Sequence, residues 1–373
     1  MKNLREVEVK GKRVIVRCDF NVPLDNKGGI KDDFRIIQSL PTIEHLLKEG
    51  AKVILMSHLG KPEGRPDKRL SLSAVAGAIE QRLGKPVKMA EIGEDIEGEL
   101  VLLENLRFCK GEEDNDPEFS KKLAGLADIY VNDAFGVCHR EHASVAGITS
   151  YLPSVAGLLL EKEIKTLSRI IKNPERPSVA IIGGAKISSK SKVIKKFLKE
   201  SDHLLLGGKI ANALLAARGL LKGEEEAVGD IDLTSKKIHY PIDAVASFNK
   251  EDPNPRFSSL AELKDGENVY DIGPDTIRLF SDIIKEAKTI VWAGPLGMIE
   301  NPNFEKGTKE VGEEIVRNSK ALKVAGGGDT NYALLKFGLR DKFDHVSTGG
   351  GAMLAFLAGG KLPGLESLGY EAD

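Results

Sequence analysis

Three glycines, an acid and a hydroxyl stand together at Gly326-Gly327-Gly328-Asp329-Thr330, between the apolar run Leu322–Ala325 and an Ala/Leu-rich run. Glycine has no Cβ, so such a loop lets a ligand approach the backbone closely. A helix opening at Thr330 would aim free N–H groups and its positive end at the loop, which suits a phosphate. Asp329 beside a phosphate would be repelled unless a cation lay between them, and this pairing points to Mg2+. An ordinary strand-to-helix turn can look the same, so the other glycine loops carry weight.

Those loops crowd into the second half: Gly183-Gly184-Ala185-Lys186, Gly207-Gly208-Lys209, Gly294-Pro295-Leu296-Gly297 and Gly349–Gly351. They suit the phosphates and flat base of a nucleotide. Lys186 and Lys190 fall one turn apart if a helix begins early there, and both would then face a phosphate. Glu300 follows the strand that contains Trp292 and could accept hydrogen bonds from ribose hydroxyls, although a solvated loop acid reads the same way. Neither GxxxxGK[ST] nor GxGxxG occurs, which argues against a P-loop and weakens a dinucleotide oxidoreductase.

The first half places polar and cationic residues where strands end. Asp19 and Asn21 follow Arg13–Cys18, Arg35 heads the next helix, His58 follows Lys52–Ser57, and Arg107 follows Leu100–Leu103. His139, Arg140 and His142 follow Asp128–Asn132. Strand ends converge on one crevice, so these groups become neighbours there. Several cations and imidazoles facing Asp19 and Asn21 suit a small, anionic, hydroxylated ligand such as a phosphorylated acid. His139 and His142 have a spacing that metal ligands use, but no third ligand accompanies them, and phosphate contact or structure is the reading adopted.

The elements that must hold these residues alternate strand and helix from end to end, as in α/β domains with parallel sheets. At 373 residues, two domains are expected. Further strands are expected at Val179–Gly183, His203–Leu206, Asn268–Asp271 and Thr289–Ala293, with an irregular acidic section after Arg218. The uninterrupted helical pattern from Pro153 to Asn173 reads as a connector, giving two doubly wound domains joined by a long helix. Net charge is -2, so no global field recruits nucleic acid or membrane. Cys18, Cys109 and Cys138 are widely spaced, which fits a reducing cytoplasm. Phosphoryl transfer, a nucleotide-sensing protein without turnover and an oxidoreductase all stay open. The lysines with Asp329 favour transfer, because a loose phosphoryl transition state needs positive charge and a metal.

Over essentially its whole length the chain resembles phosphoglycerate kinase, through RCDFNVP (17–23), DFRI (33–36), SHLGKP (57–62), LLENLRF (102–108), YVNDAFG (130–136), GGAKISSK (183–190), GGGDT (326–330) and STGGGA (347–352). The resemblance implies reversible transfer between 1,3-bisphosphoglycerate and MgADP, giving 3-phosphoglycerate and MgATP. It implies phosphoglycerate contacts at Asp19, Phe20, Asn21, Arg35, His58, Leu59, Gly60, Lys61, Arg107 and Arg140. Arg35, Lys186 and Lys190 would be catalytic. Gly184, Ala185, Lys190, Gly208, Glu300, Gly327, Gly328, Asp329 and Thr330 would bind nucleotide, with Asp329 on Mg2+. The implied plan is a phosphoglycerate domain over 1–153, onto which 360–373 packs back, a connector and hinge over 154–173, and a nucleotide domain over 174–359. A cytoplasmic monomer is expected. Three departures stand out: Lys61 where the family has arginine, Ala293 where it has asparagine, and Lys209 at a position often small or apolar.

Overall fold

The computed structural model describes residues 1–94, 96–188, 190–222 and 228–371. Ser189 of GGAKISSK, the acidic residues 224–226 and the last two positions of the 360–373 segment therefore lie outside the described residues. The chain divides into two compact units, one comprising Met1–Lys165 with Gly360–Asp373 and the other Thr166–Gly359.

In the first unit the strands are β1 (Arg13–Arg17), β2 (Lys52–Met56), β3 (Lys88–Ala90), β4 (Leu100–Leu103), β5 (Ile129–Asn132) and β6 (Ser154–Ala156). They form one parallel sheet in the order β3-β4-β2-β1-β5-β6. Consecutive residues Val14, Ile15 and Val16 are all buried, as are all four of β4. Only a sheet covered on both faces buries neighbouring side chains that point opposite ways, which is why these strands read as unbroken apolar runs. Each such side chain contributes roughly 1.5–3 kcal/mol on burial. Helix Ser73–Leu83 illustrates local control at both ends. The Ser71 hydroxyl accepts from the amide of Ser73 (3.2 Å), and Gly84 closes the helix in the left-handed conformation. The returning segment belongs to this unit's packing: the Gly364 amide donates to the Cys138 carbonyl (2.9 Å).

The second unit contains β7 (Ser178–Ile182), β8 (His203–Leu206), β9 (Ile238–His239), β10 (Asp243–Ser247), β11 (Arg256–Ser259), β12 (Asn268–Ile272), β13 (Thr289–Ala293), β14 (Leu322–Gly326) and β15 (His345–Ser347). Six of them make a parallel sheet, β15-β14-β13-β7-β8-β9. The other three form a separate antiparallel sheet, β11-β10-β12.

Three expectations need correction. The pattern from Pro153 to Asn173 is not one helix: Ser154–Ala156 pairs with β5 as an edge strand, and the helix is Leu158–Lys172. Gly157 turns the chain against Asp133, whose Oδ1 accepts from the Leu159 amide (2.9 Å) and starts that helix. The section after Arg218 is not uniformly irregular, since β9, β10 and β11 lie within it. Asn268–Asp271 is a strand, but tertiary pairing draws it into the small antiparallel sheet.

Both parallel sheets reverse direction of growth once. In the first unit the reversal separates β1 from β5, and in the second it separates β7 from β13. Ligands of open α/β sheets bind beyond the carboxyl ends of strands at such points.

Candidate active site

Beyond β1 and β5 in the first unit, Asp19 is buried and takes Arg35 as its partner. Arg35 Nη1 lies 3.0 Å from each Asp19 carboxylate oxygen and 3.1 Å from the Asn21 carbonyl. Arg35 stands in the first turn of helix Phe34–Lys48 and is partly exposed. The Asn21 side chain accepts from the Gly60 amide (2.9 Å), and Arg107 Nη1 donates to the Gly60 carbonyl (2.8 Å). Gly60 has φ +63°, and a Cβ there would sit 2.8 Å from Leu70, so only glycine fits. Lys61 and Arg140 are exposed, and His139 is half-buried. The side chains of Phe20 and Leu59 lie in the hydrophobic core, so these two can meet a ligand only through backbone.

Beneath this surface is a buried charge network that the motifs had not indicated. Arg17 is fully buried, and its Nε donates to Ser144 Oγ (2.7 Å), which donates in turn to Glu112 Oε1 (2.6 Å). Arg17 Nη2 is 3.8 Å from the same carboxylate and 3.2 Å from His58 Nδ1. A guanidinium only donates, so Nδ1 accepts and His58 carries its proton on Nε2. The available signals were an arginine closing an apolar strand and a glutamate in a short helical turn, both of which resemble surface residues.

Burial, then Arg17, Arg107 and Arg35, hold His58 well below the usual imidazole range. Burial and the cations Arg107, Arg17 and Arg140 lower His142 to about 4. Burial first and the arginines second keep these imidazoles neutral, and the arginine field is the part an anionic ligand would relieve. In the unfolded chain a histidine titrates near 6.5. Between that value and about 4 the unfolded state therefore binds more protons at His142, and stability falls as pH falls. Buried Asp133 and Asp271, raised to about 7 and about 8, act with the opposite sign. A difference between variants isolates the histidine. The stability of wild type relative to His142→Gln is expected to drop, by up to ~1.4 kcal/mol per pH unit, from pH 6.5 toward 4. Urea titrations showing a constant difference across that window would contradict this.

In the second unit Lys190 sits where the sheet reverses. Its Nζ donates to the Gly183 carbonyl just after β7 and to the Ala293 carbonyl at the end of β13 (3.1 Å). Burial lowers its pKa to about 8, with Asp329 opposing, so the amine keeps most of its charge at pH 7. Gly294 has φ +100°, and a Cβ would fall 2.2 Å from the Gly183 carbonyl oxygen and 2.4 Å from Lys190 Nζ. Helix Ser191–Glu200 begins just after Lys190, so Lys186 and Lys190 are not stacked by a helical turn as expected. Lys186 is exposed beside Ala185 and Gly184. Gly208 opens helix Gly208–Ala217, with its amide on the Leu296 carbonyl (2.8 Å). Glu300 is exposed in the loop after β13.

The glycine loop leads to helix Gly328–Lys336, which opens two residues earlier than Thr330 because Gly327 takes φ +109° as its N-cap. No side chain caps this end, and both Gly328 and Asp329 are exposed. Thr330 is buried instead, its hydroxyl accepting from the Gly294 amide (2.7 Å). That hydroxyl braces the neighbouring loop and leaves only backbone to a ligand. Uncapped N–H groups, an exposed carboxylate and a partly buried lysine fit phosphates accompanied by a cation. Ala293 is buried, and its carbonyl rather than its side chain serves the site.

A family model described as phosphoglycerate kinase matches residues 4–360. A phosphoglycerate kinase of Dictyoglomus turgidum is 47% identical to this chain, and one of Aquifex aeolicus 46%, each over 98% of both chains. Among solved structures, phosphoglycerate kinase from Coxiella burnetii aligns with TM-score 0.87 at 36% identity over 100% of this chain and 99% of that one. The enzyme from Pyrococcus horikoshii also reaches 0.87, at 31% identity over 99% and 98%. With its two parallel-sheet units and full-length match, the chain belongs to the phosphoglycerate kinase family.

Proposed function

We infer that the strand-end residues described above carry out the family's reaction. The chain is a phosphotransferase of glycolysis, moving a phosphoryl group reversibly from 1,3-bisphosphoglycerate to ADP to give 3-phosphoglycerate and ATP. In our reading the first unit holds the phosphoglycerate through Asp19, Asn21, His58, Arg107 and Arg140, with Lys61 as a point charge in place of an arginine fork. The observation that carries this reading is the gathering of arginines at these strand ends, with Arg35 on Asp19, Arg107 on the Gly60 carbonyl and Arg17 on buried His58.

The second unit takes the nucleotide phosphates on the uncapped helix at Gly328 and on Lys190 and Lys186, and the ribose near Glu300. Asp329 would hold Mg2+, which when bound neutralises phosphate charge. Asp329→Asn is therefore expected to weaken Mg-nucleotide binding at least ~10-fold while 3-phosphoglycerate affinity stays nearly constant. Calorimetry finding the reverse pattern would remove Asp329 from this role.

In-line transfer needs both reactants in one water-poor place, and their residues belong to different units. We therefore propose a hinge closure around helix Leu158–Lys172. Scattering should give a smaller radius of gyration with both ligands than with either alone, and an identical radius in all states would refute closure. We further read the protein as a cytoplasmic monomer, in keeping with its near-neutral charge and three free cysteines. Among the described residues no helix is long and apolar enough to cross a membrane.

A further inference from the structure

Asn105 lies between two of the loops assigned to the phosphoglycerate, and its carboxamide is saturated by them. Oδ1 accepts from the amides of Leu59 (3.2 Å) and Arg107 (3.1 Å), while Nδ2 donates to the carbonyls of Leu59 (2.8 Å) and Leu70 (2.9 Å). These four bonds are the full capacity of the side chain. The residue is 2% exposed, and its own amide is fixed by Glu104 (2.7 Å), which also takes the Leu72 amide (2.8 Å).

The consequence for Leu59-Gly60 is unusual for a loop. Side chains hold all four of its backbone polar groups: Asn105 takes both of Leu59, and Asn21 and Arg107 take those of Gly60. Arg107 is thus tied to the loop twice, through its amide by Asn105 and through its guanidinium at Gly60. Neither His58, next in the chain to Leu59, nor Arg107 can shift without stretching this frame. A buried amide that merely filled space would be replaceable by an apolar residue of similar size; this one specifies the register of two loops.

We propose that Asn105 is a positioning residue for phosphoglycerate binding, locking the His58–Gly60 loop to the Arg107 turn so that both present their groups together. The proposal rests on the phosphoglycerate reading of this unit and adds to it a residue that touches no ligand.

Asn105→Asp is nearly isosteric and keeps the Oδ1 acceptor, but it turns the donor into an oxygen facing the carbonyls of Leu59 and Leu70. KM and the calorimetric Kd for 3-phosphoglycerate are expected to rise roughly tenfold or more, while KM for ATP moves less than about twofold. Asn105→Ser, which can both donate and accept but is shorter, should give a smaller rise in the same direction, and it decides the matter if the aspartate variant does not fold. Asn318→Asp is the control. That amide donates to the carbonyls of Ile284 (2.7 Å) and Ala287 (2.9 Å) in the other unit, so its loss should lower the melting temperature without moving KM for 3-phosphoglycerate. Asn105 variants with unchanged 3-phosphoglycerate affinity, or with equal rises in both KM values, would overturn the proposal alone. Wild-type protein that binds no 3-phosphoglycerate would overturn the underlying reading, and the proposal with it.

Discussion

Arg35→Ala is expected to lower kcat by about three orders of magnitude while KM for 3-phosphoglycerate changes only a few-fold. The guanidinium is charged at any working pH and can span two phosphoryl oxygens. Substrate already carries much of the phosphoryl charge, so binding alone depends little on Arg35. The spread charge of the transition state depends on it more, and only that difference accelerates the reaction. The geometry also supplies the competing account. Arg35 Nη1 lies 3.0 Å from Asp19, and a partly exposed pair of this kind contributes about 1 kcal/mol or less to stability. If pairing were the whole role, the alanine variant would melt slightly lower and keep most of its turnover. Steady-state kinetics separate these outcomes. Arg35→Lys should recover part of the lost rate, since charge returns without the fork.

The largest stability effect is expected at Glu112. Its carboxylate is fully buried and accepts from the Ser144 amide (3.0 Å) and hydroxyl (2.6 Å), with Arg17 at 3.8 Å and equally buried. Glu112→Ala leaves the Arg17 charge in the interior without its counter-charge and strips Ser144 of two bonds. Removing one partner of a buried pair costs roughly 3–5 kcal/mol. Glu112→Gln, which keeps the shape and can still accept from Ser144, should cost less. Since His58 Nδ1 faces Arg17 at 3.2 Å, the alanine variant should also bind 3-phosphoglycerate more weakly when assayed well below its melting temperature. Guanidinium titrations showing less than about 1 kcal/mol lost would mean that water or a neighbouring anion already compensates the Arg17 charge.

Much of the architecture was legible because parallel strands buried on both faces leave unbroken apolar runs, as at Val14–Val16 and Leu100–Leu103. Short edge strands were not legible. Ser154–Ala156 runs into a strongly helical stretch, and only its pairing with β5 makes it a strand. His345–Ser347 and Lys88–Ala90 are likewise three residues long, too short for any period to register. Motif chemistry could be read to the level of which loop matters, but not to which atom. Thr330 stands in a phosphate-like motif, yet its hydroxyl turns inward to the Gly294 amide. Phe20 and Leu59 stand in substrate motifs, yet their side chains fill the core. Arg17, Glu112 and Asn105 went unread for the converse reason, because a buried polar residue is identified only by partners distant in sequence.

The account's central claim is that these two sets of residues make a working phosphotransferase, and turnover tests it most directly. Purified protein supplied with 3-phosphoglycerate, ATP and Mg2+ in a coupled assay should show saturable turnover that depends on all three. It should fall about a thousandfold in Arg35→Ala and vanish on chelation of the metal. Protein that binds both substrates, as followed by calorimetry, yet shows no turnover above the Arg35→Ala level would contradict the account.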